Sequence, residues 1–330
     1  MAHEIDMSNG RANMAYVGEV PWHGLGSELQ EGASIDEWLV AAGMNFTLHM
    51  HPVMYYNPKI NAMRVVDDRR VIVRDDTHEA LSVTSATYEL VQPRDVLEFY
   101  RDLVSAAGFR LNTAGVLRGG RKYWALAELG EEAMIGVGVD KMKGYLLLAT
   151  SCDMSLASTG MFTGVRVVCA NTLSFAVTGA EGDAKRHVKV PHSRVFNPAQ
   201  VKAQLGIASA SWHAFIEQSR KLAETDVEKV QAVEWLARVF GDAEKTAAEQ
   251  DASATRTMQR VLDLFNGAGR GSDLPTAAGT AWGLVNAATE YLDHHRNERS
   301  PGNRLDRAWF GDGAVLKQRA WDEALALVTV

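Results

Sequence analysis

The chain has little cysteine, no long apolar run and none of the short motifs on which most enzyme assignments rest. Each absence removes a class of protein. Two cysteines, Cys152 and Cys169, are too few to staple a disulfide scaffold. They also have neither CxxC nor Cys/His metal spacing, so they read as reduced core residues. No segment approaches the roughly 20 apolar residues that a membrane helix needs, and residues 1–14 lack a signal peptide's basic-then-apolar order. The expectation is a soluble cytoplasmic protein with no membrane partner. A phosphate-cradling P-loop needs Lys-Ser or Lys-Thr in register with its glycines, which Gly136-Val137-Gly138-Val139-Asp140-Lys141 does not supply. Gly-x-Gly-x-x-Gly, His-Glu-x-x-His and Gly-x-Ser-x-Gly are missing too. No catalytic residue, cofactor or metal is therefore expected.

What is present is ordinary globular material. The 330 residues are 46% hydrophobic and 23% charged, enough for about two domains with a real core. A formal charge of −7 argues against coating duplex DNA by bulk electrostatics, although the distribution of charge matters more than its sum.

Short runs rich in Val, Thr, Tyr and Ile at residues 46–56, 63–66, 70–74 and 80–91 predict antiparallel strands. Pro93 suits a first helical position, and apolar residues recur at helical spacing from Val96 to Ala107. Strands resume at 110–117 and 122–129 around Gly119-Gly120, a pair suited to the positive φ of a tight hairpin. Two more apolar runs follow at 144–150 and 161–170, and from Asn197-Pro198 helical patterns dominate. The expected class is α+β: a loop-rich segment 1–45, an antiparallel β-sheet domain with a packed helix over 46–196, and a mostly helical region over 197–330.

Single-stranded nucleic acid is bound by cations that follow phosphates and by aromatic faces on which bases stack. Arg118, Arg121, Lys122, Tyr123 and Trp124 share one hairpin, Lys141 and Lys143 precede the next strand, and Lys185, Arg186, Lys189 and Arg194 follow the sheet. Against binding stands a solvated hairpin with Trp124 buried. Arg166, inside an apolar strand, needs either an internal carboxylate or a ligand phosphate. His49 and His51 share a strand face without an evident third metal ligand, and the pairs Asp67-Asp68 and Asp75-Asp76 read as charges neutralised by Arg69, Arg70 and Arg74. Cys152 beside Asp153 reads as structural rather than nucleophilic.

Several stretches carry a resemblance. Arg166-Val167-Val168-Cys169-Ala170-Asn171-Thr172-Leu173, Pro21-Trp22-His23-Gly24-Leu25-Gly26, Tyr88-Glu89-Leu90-Val91-Gln92-Pro93, Gly279-Thr280-Ala281-Trp282 with Tyr291-Leu292-Asp293-His294, and Phe310-Gly311 with Leu316-Lys317 and Ala320 stand in one order. In these the chain resembles a family of phage- and plasmid-like proteins carried as a domain of unknown function. The resemblance implies a mobile-element origin and a bacterial host cytoplasm, with no established reaction. The layout of strands, one helix, a basic hairpin and a helical tail is similar to that of phage single-strand annealing recombinases. The expected function is single-stranded DNA binding or annealing by a homo-oligomer. An enzyme using Asp153, Asn171, Arg166 and the His23 loop is the second reading, and contact with a host protein the third.

Overall fold

The computed structural model describes residues 5–7, 10–18, 20–21, 24–107, 109–136, 140–166, 171–174, 177–178, 184–185, 187–197, 199, 208–241, 252–296, 307 and 309–328. It is a mixed α+β protein with antiparallel sheets, a helix packed on strands and a helical C-terminal region. The chain forms two compact units that alternate along it. Met1–Gly130, Tyr145–Met161 and Gly179–Gly206 make the first, and Glu131–Gly144, Phe162–Thr178 and Ile207–Val330 make the second. The helix that the sequence opens at Asn197-Pro198 cannot be followed there, because Pro198 lies outside the described residues.

In the first unit, β1 (Met14–Tyr16) and β2 (Ser27–Glu28) run parallel and precede helix α1 (Ile35–Ala41). β3 (Leu48–Asn57), β4 (Ala62–Arg74) and β5 (Ala80–Ser85) form a separate antiparallel sheet. Helix α2 (Pro93–Ala107) follows. Pro93 fills the first helical position, where no N–H is needed, and Asp95 accepts from the Gln92 backbone N–H. The helix buries Val96, Leu97, Phe99 and Tyr100. The Tyr100 hydroxyl lies 2.8 Å from Ala125 O and 3.1 Å from Leu146 O, pinning the helix to the main sheet.

That sheet contains β6 (Arg110–Leu117), β7 (Lys122–Met134), β8 (Lys141–Ser151) and β9 (Ser158–Arg166). In the first unit β1 pairs with β6, and β13 (His187–Val190) pairs with the opening residues of β9. β6 and β7 join through a turn in which Arg118, Gly119 and Gly120 all have positive φ, as the Gly-Gly pair predicts. The remaining short strands are β10 (Asn171–Ser174), β11 (Val177–Thr178) and β12 (Ala184–Lys185).

The second unit holds α3 (Ala208–Ala223), α4 (Lys229–Phe240), α5 (Ala252–Asp263), α6 (Ala281–Glu290) and α7 (Asp312–Val328). Wide π-type turns at Leu264–Ala268 and Tyr291–His295 extend α5 and α6. Its core is aromatic: Phe215 stacks on Trp321 at 4.9 Å, and Trp282 meets Trp321 edge-on at 6.4 Å. The Asp140 carboxylate, buried at the start of β8, accepts from Thr276 at 2.5 Å and from the Trp282 indole at 3.0 Å. Lys317 and Asp293 form a buried ion pair.

Candidate nucleic-acid interface

The basic hairpin does not form the platform that its sequence suggests. Tyr123 is fully buried and Trp124 is 3% exposed, so neither ring has a face for a base. Lys122 is buried as well. Residues 122–128 of β7 are covered on both sides, and a strand covered on both faces buries consecutive residues instead of alternate ones. The Tyr123 hydroxyl donates to Val91 O, and burial holds its pKa well above the ordinary phenol value. Arg121 turns inward to Leu81 O at 2.8 Å and Arg118 O at 3.2 Å, so it holds the turn together. Arg118 is half-buried at the same turn.

The other expected cations are scattered. Lys141 and Lys143 both pair with Glu132, and the hydrogen bond from Lys141 draws the Glu132 carboxyl below its usual range. Arg166 stands opposite Asn171 in the β9–β10 register. Lys185 ends β12, and Arg186 lies outside the described residues, as do Trp22, His23 and Cys169. Lys189 and Arg194 are exposed on the first unit. Asp153 accepts from the backbone N–H and hydroxyl of Ser155, which closes a local turn. His49 and His51 share a strand face with ring centroids 6.4 Å apart, and no cluster of three metal-ligating residues occurs among the described residues.

Cys152 is fully buried, and burial pushes its thiol up to about 12. Only a thiolate attacks, so this sulfur is inert at neutral pH. In a Cys169→Ser background, Cys152 should react with a disulfide reagent at pH 8 only after the chain is unfolded. Fast labelling of the folded protein would contradict this.

The surface with both aromatic faces and unpaired cations lies elsewhere, on the β3–β4 ribbon. β5 covers β4 only along Arg69 to Val73, so from Val53 to Val66 the sheet is two strands wide. Successive strand residues point to opposite faces. Tyr55 is 50% and Tyr56 55% exposed, so the ribbon is covered on neither face. One face pairs Tyr55 directly with Arg64. The other sets Met54 against Val65 and Tyr56 against Met63, all exposed and uncharged. The tip is Pro58-Lys59-Ile60-Asn61, with Asn61 at φ 47°. Lys59 and Arg64 are exposed and have no carboxylate partner among the described residues. At the base, Arg69 pairs with Asp68 at 3.5 Å, an exposed contact worth little, and Arg70 is held by the Asp67 and Arg69 carbonyls. The neutralisation expected for these aspartates holds firmly only for Asp76, which meets Arg74 at 2.7 Å.

The ribbon's base leads into a cleft of about 320 Å³ in the same unit. Arg69 stands opposite Ser85 in the β4–β5 register, and Ser85 lines the cleft with Thr87, Tyr88, Met154, His192 and Ser193. Tyr88 stacks on His192 with centroids 4.6 Å apart, and the Tyr88 hydroxyl donates to Ser151 O at 2.8 Å. The two His192 ring nitrogens lie 3.0 Å from Glu89 O and 3.1 Å from Leu156 O. Burial pushes the Tyr88 phenol upward, so it stays a neutral donor.

Sequence reasoning assigned residues 46–56, 63–66 and 70–74 to strands but did not single out the ribbon as a site. The available signal was Met54-Tyr55-Tyr56 facing Met63-Arg64-Val65 across an Asn-Pro turn. An alternation of apolar and polar residues marks a half-covered strand, and Val53-Met54-Tyr55-Tyr56 lacks it.

No curated protein and no solved structure matches the chain. A family model for a domain of unknown function, DUF932, matches residues 80–309. The match takes in the cleft residues and most of the second unit, while the ribbon precedes it. Since the match spans well over half of its length, the chain belongs to the DUF932 family.

Proposed function

We propose that the protein binds single-stranded DNA without acting on it chemically, as a homo-oligomer serving recombination or replication of a phage or plasmid in a bacterial cytoplasm. The observation that carries this reading is the uncovered β3–β4 ribbon, where Tyr55 presents its ring beside Arg64 on one face, Tyr56 is exposed on the other, and Lys59 stands at the tip. Every base has a π-face, so stacking on tyrosine is indifferent to sequence, and the cations follow the phosphates. Lys189 and Arg194 are further exposed cations of the same unit. Unlike a duplex, a single strand offers its bases to such a platform. Held extended on the ribbon, it keeps its base edges free for pairing with a second strand.

The test is binding of a labelled oligonucleotide to wild-type protein and to a Tyr55→Ala/Tyr56→Ala variant. Loss of stacking is expected to cost about 1–3 kcal/mol per base. Removing both Lys59 and Arg64 should flatten the salt dependence by about 0.7 for each phosphate that the variant no longer neutralises. Unchanged affinity and slope in both variants would overturn the reading.

One observation favours a protein neighbour instead. The face made by Met54, Tyr56, Met63 and Val65 carries no charge, and exposed apolar ribbons invite association. A complex resting on this face would survive nuclease treatment and be broken by Met63→Lys. A complex indifferent to that change would remove this second reading.

A further inference from the structure

The cleft at the ribbon's base has a chemistry of its own. Its hydrogen-bonding groups are the hydroxyls of Ser85, Thr87 and Ser193, with Ser85 and Thr87 oxygens 3.2 Å apart. Its walls are the Tyr88–His192 stack and the Met154 thioether, and no carboxylate, ammonium or guanidinium lines it. The Tyr88 hydroxyl is spent on Ser151 O, and the His192 ring nitrogens face Glu89 O on one side and Leu156 O with the Thr150 hydroxyl on the other, so both residues offer the cleft ring carbon. Those bonds also fix the ring planes, which removes an ordering cost on binding. An uncharged, apolar-walled cleft with hydroxyls suits a flat neutral ring with a hydrogen-bonding edge, and it does not suit a phosphate. At about 320 Å³ it stands at the small end of ligand sites, with room for a base.

We propose that this cleft receives one unpaired nucleobase of a bound strand and accepts any of the bases. The inference rests on the strand-binding reading above. A hydroxyl can rotate to donate or to accept, so three hydroxyls answer the donors of one base edge as readily as the acceptors of another. Two exposed cations adjoin lining residues and could meet the flanking phosphates. Arg69 faces Ser85 across the register, and exposed Arg194 follows Ser193. The ribbon and the cleft then form one track, with stacking on the tyrosines followed by a seat that sets the strand's position.

The experiment uses the full chain and a short oligonucleotide carrying 2-aminopurine at one position, alongside a fully abasic strand of the same length. Thr87→Leu and Ser193→Leu, both at exposed positions, fill the cleft and leave the ribbon untouched. Folding of each variant is checked by its melting curve. Wild-type protein should quench 2-aminopurine and prefer the base-bearing strand to the abasic one. Each variant should lose about tenfold in affinity for the base-bearing strand and part of the quenching, while its salt slope stays at the wild-type value. Strands that bind with full affinity to folded variants of both kinds would overturn the cleft assignment and leave the ribbon reading standing. Absence of strand binding to wild-type protein at low salt would overturn both.

Discussion

Replacing Arg74 with alanine is expected to lower the free energy of unfolding by about 3–5 kcal/mol. Arg74 is 1% exposed, the most deeply buried cation among the described residues, and its guanidinium is fully engaged. It meets Asp6 at 2.9 Å and Asp76 at 2.7 Å, donates to Gly119 O at 3.2 Å, and lies 3.9 Å above the Phe46 ring. Asp6, 4% exposed, also accepts from Asn13 at 2.8 Å. Truncation strands the Asp6 carboxylate in the interior, and the cost of an uncompensated buried charge exceeds the worth of the pair itself. Gly120 is part of the same arrangement, since a Cβ there would come within 2.8 Å of the Arg74 side chain. Chemical denaturation of Arg74→Ala is the measurement, and a loss below about 1 kcal/mol would contradict the account.

The same pair sets an acid response. The hydrogen bond from Arg74 lowers the Asp76 carboxyl from its ordinary value of 3.8. A carboxyl whose folded pKa lies below its unfolded one stabilises the fold fully above the unfolded value and loses that contribution as pH falls through the folded value. Wild-type stability should therefore decline below about pH 4, and in Arg74→Ala this part of the decline should shrink.

Gly283→Ala is expected to cost about 3 kcal/mol or to prevent the second unit from folding. A Cβ at Gly283 would lie 1.9 Å from Ala277 O and 2.9 Å from its carbonyl carbon, and both atoms are backbone. A flexible side chain could move aside, but this loop is tied down. Thr280 receives the Gly283 N–H at 3.1 Å and donates to Thr276 O at 2.7 Å, and Ala281 N donates to Thr225 O at 2.9 Å. Val230→Ala, at a 66% exposed position on α4, serves as the comparison and should change stability by less than about 0.5 kcal/mol. Equal stability of the two variants would show that α6 can move away from the loop.

Much of the fold was legible because local chemistry and tertiary position agree. Pro93, Asp95 and the apolar spacing after Val96 mark α2 to its first residue, and Gly119-Gly120 marks the hairpin turn. The C-terminal region is helical as expected, but the π-type turns after α5 and α6 are not marked in the sequence, because one wide turn shifts the periodicity without altering composition. The two interleaved units leave no trace in local pattern. The site was less legible for a related reason. A cation in a strand suggests exposure, yet Lys122, Tyr123 and Trp124 are buried between covered faces. Tyr55 and Tyr56 look like core residues and are half-exposed. Periodicity shows which residues share a face, but only the elements packed on that face decide whether it is covered. Several residues of the recognisable stretches turn out to hold the structure: Trp282 donates to Asp140, and Lys317 pairs with Asp293.

The central claim is that an exposed aromatic and basic ribbon holds single-stranded DNA. The most direct measurement is the affinity of the full chain for a labelled single strand across a salt series. The account predicts binding at low salt that falls steeply, with a log–log slope of about −0.7 for each phosphate engaged, and that weakens in the Tyr55→Ala/Tyr56→Ala variant. Binding that is absent at low salt, or independent of both salt and the two tyrosines, would contradict it.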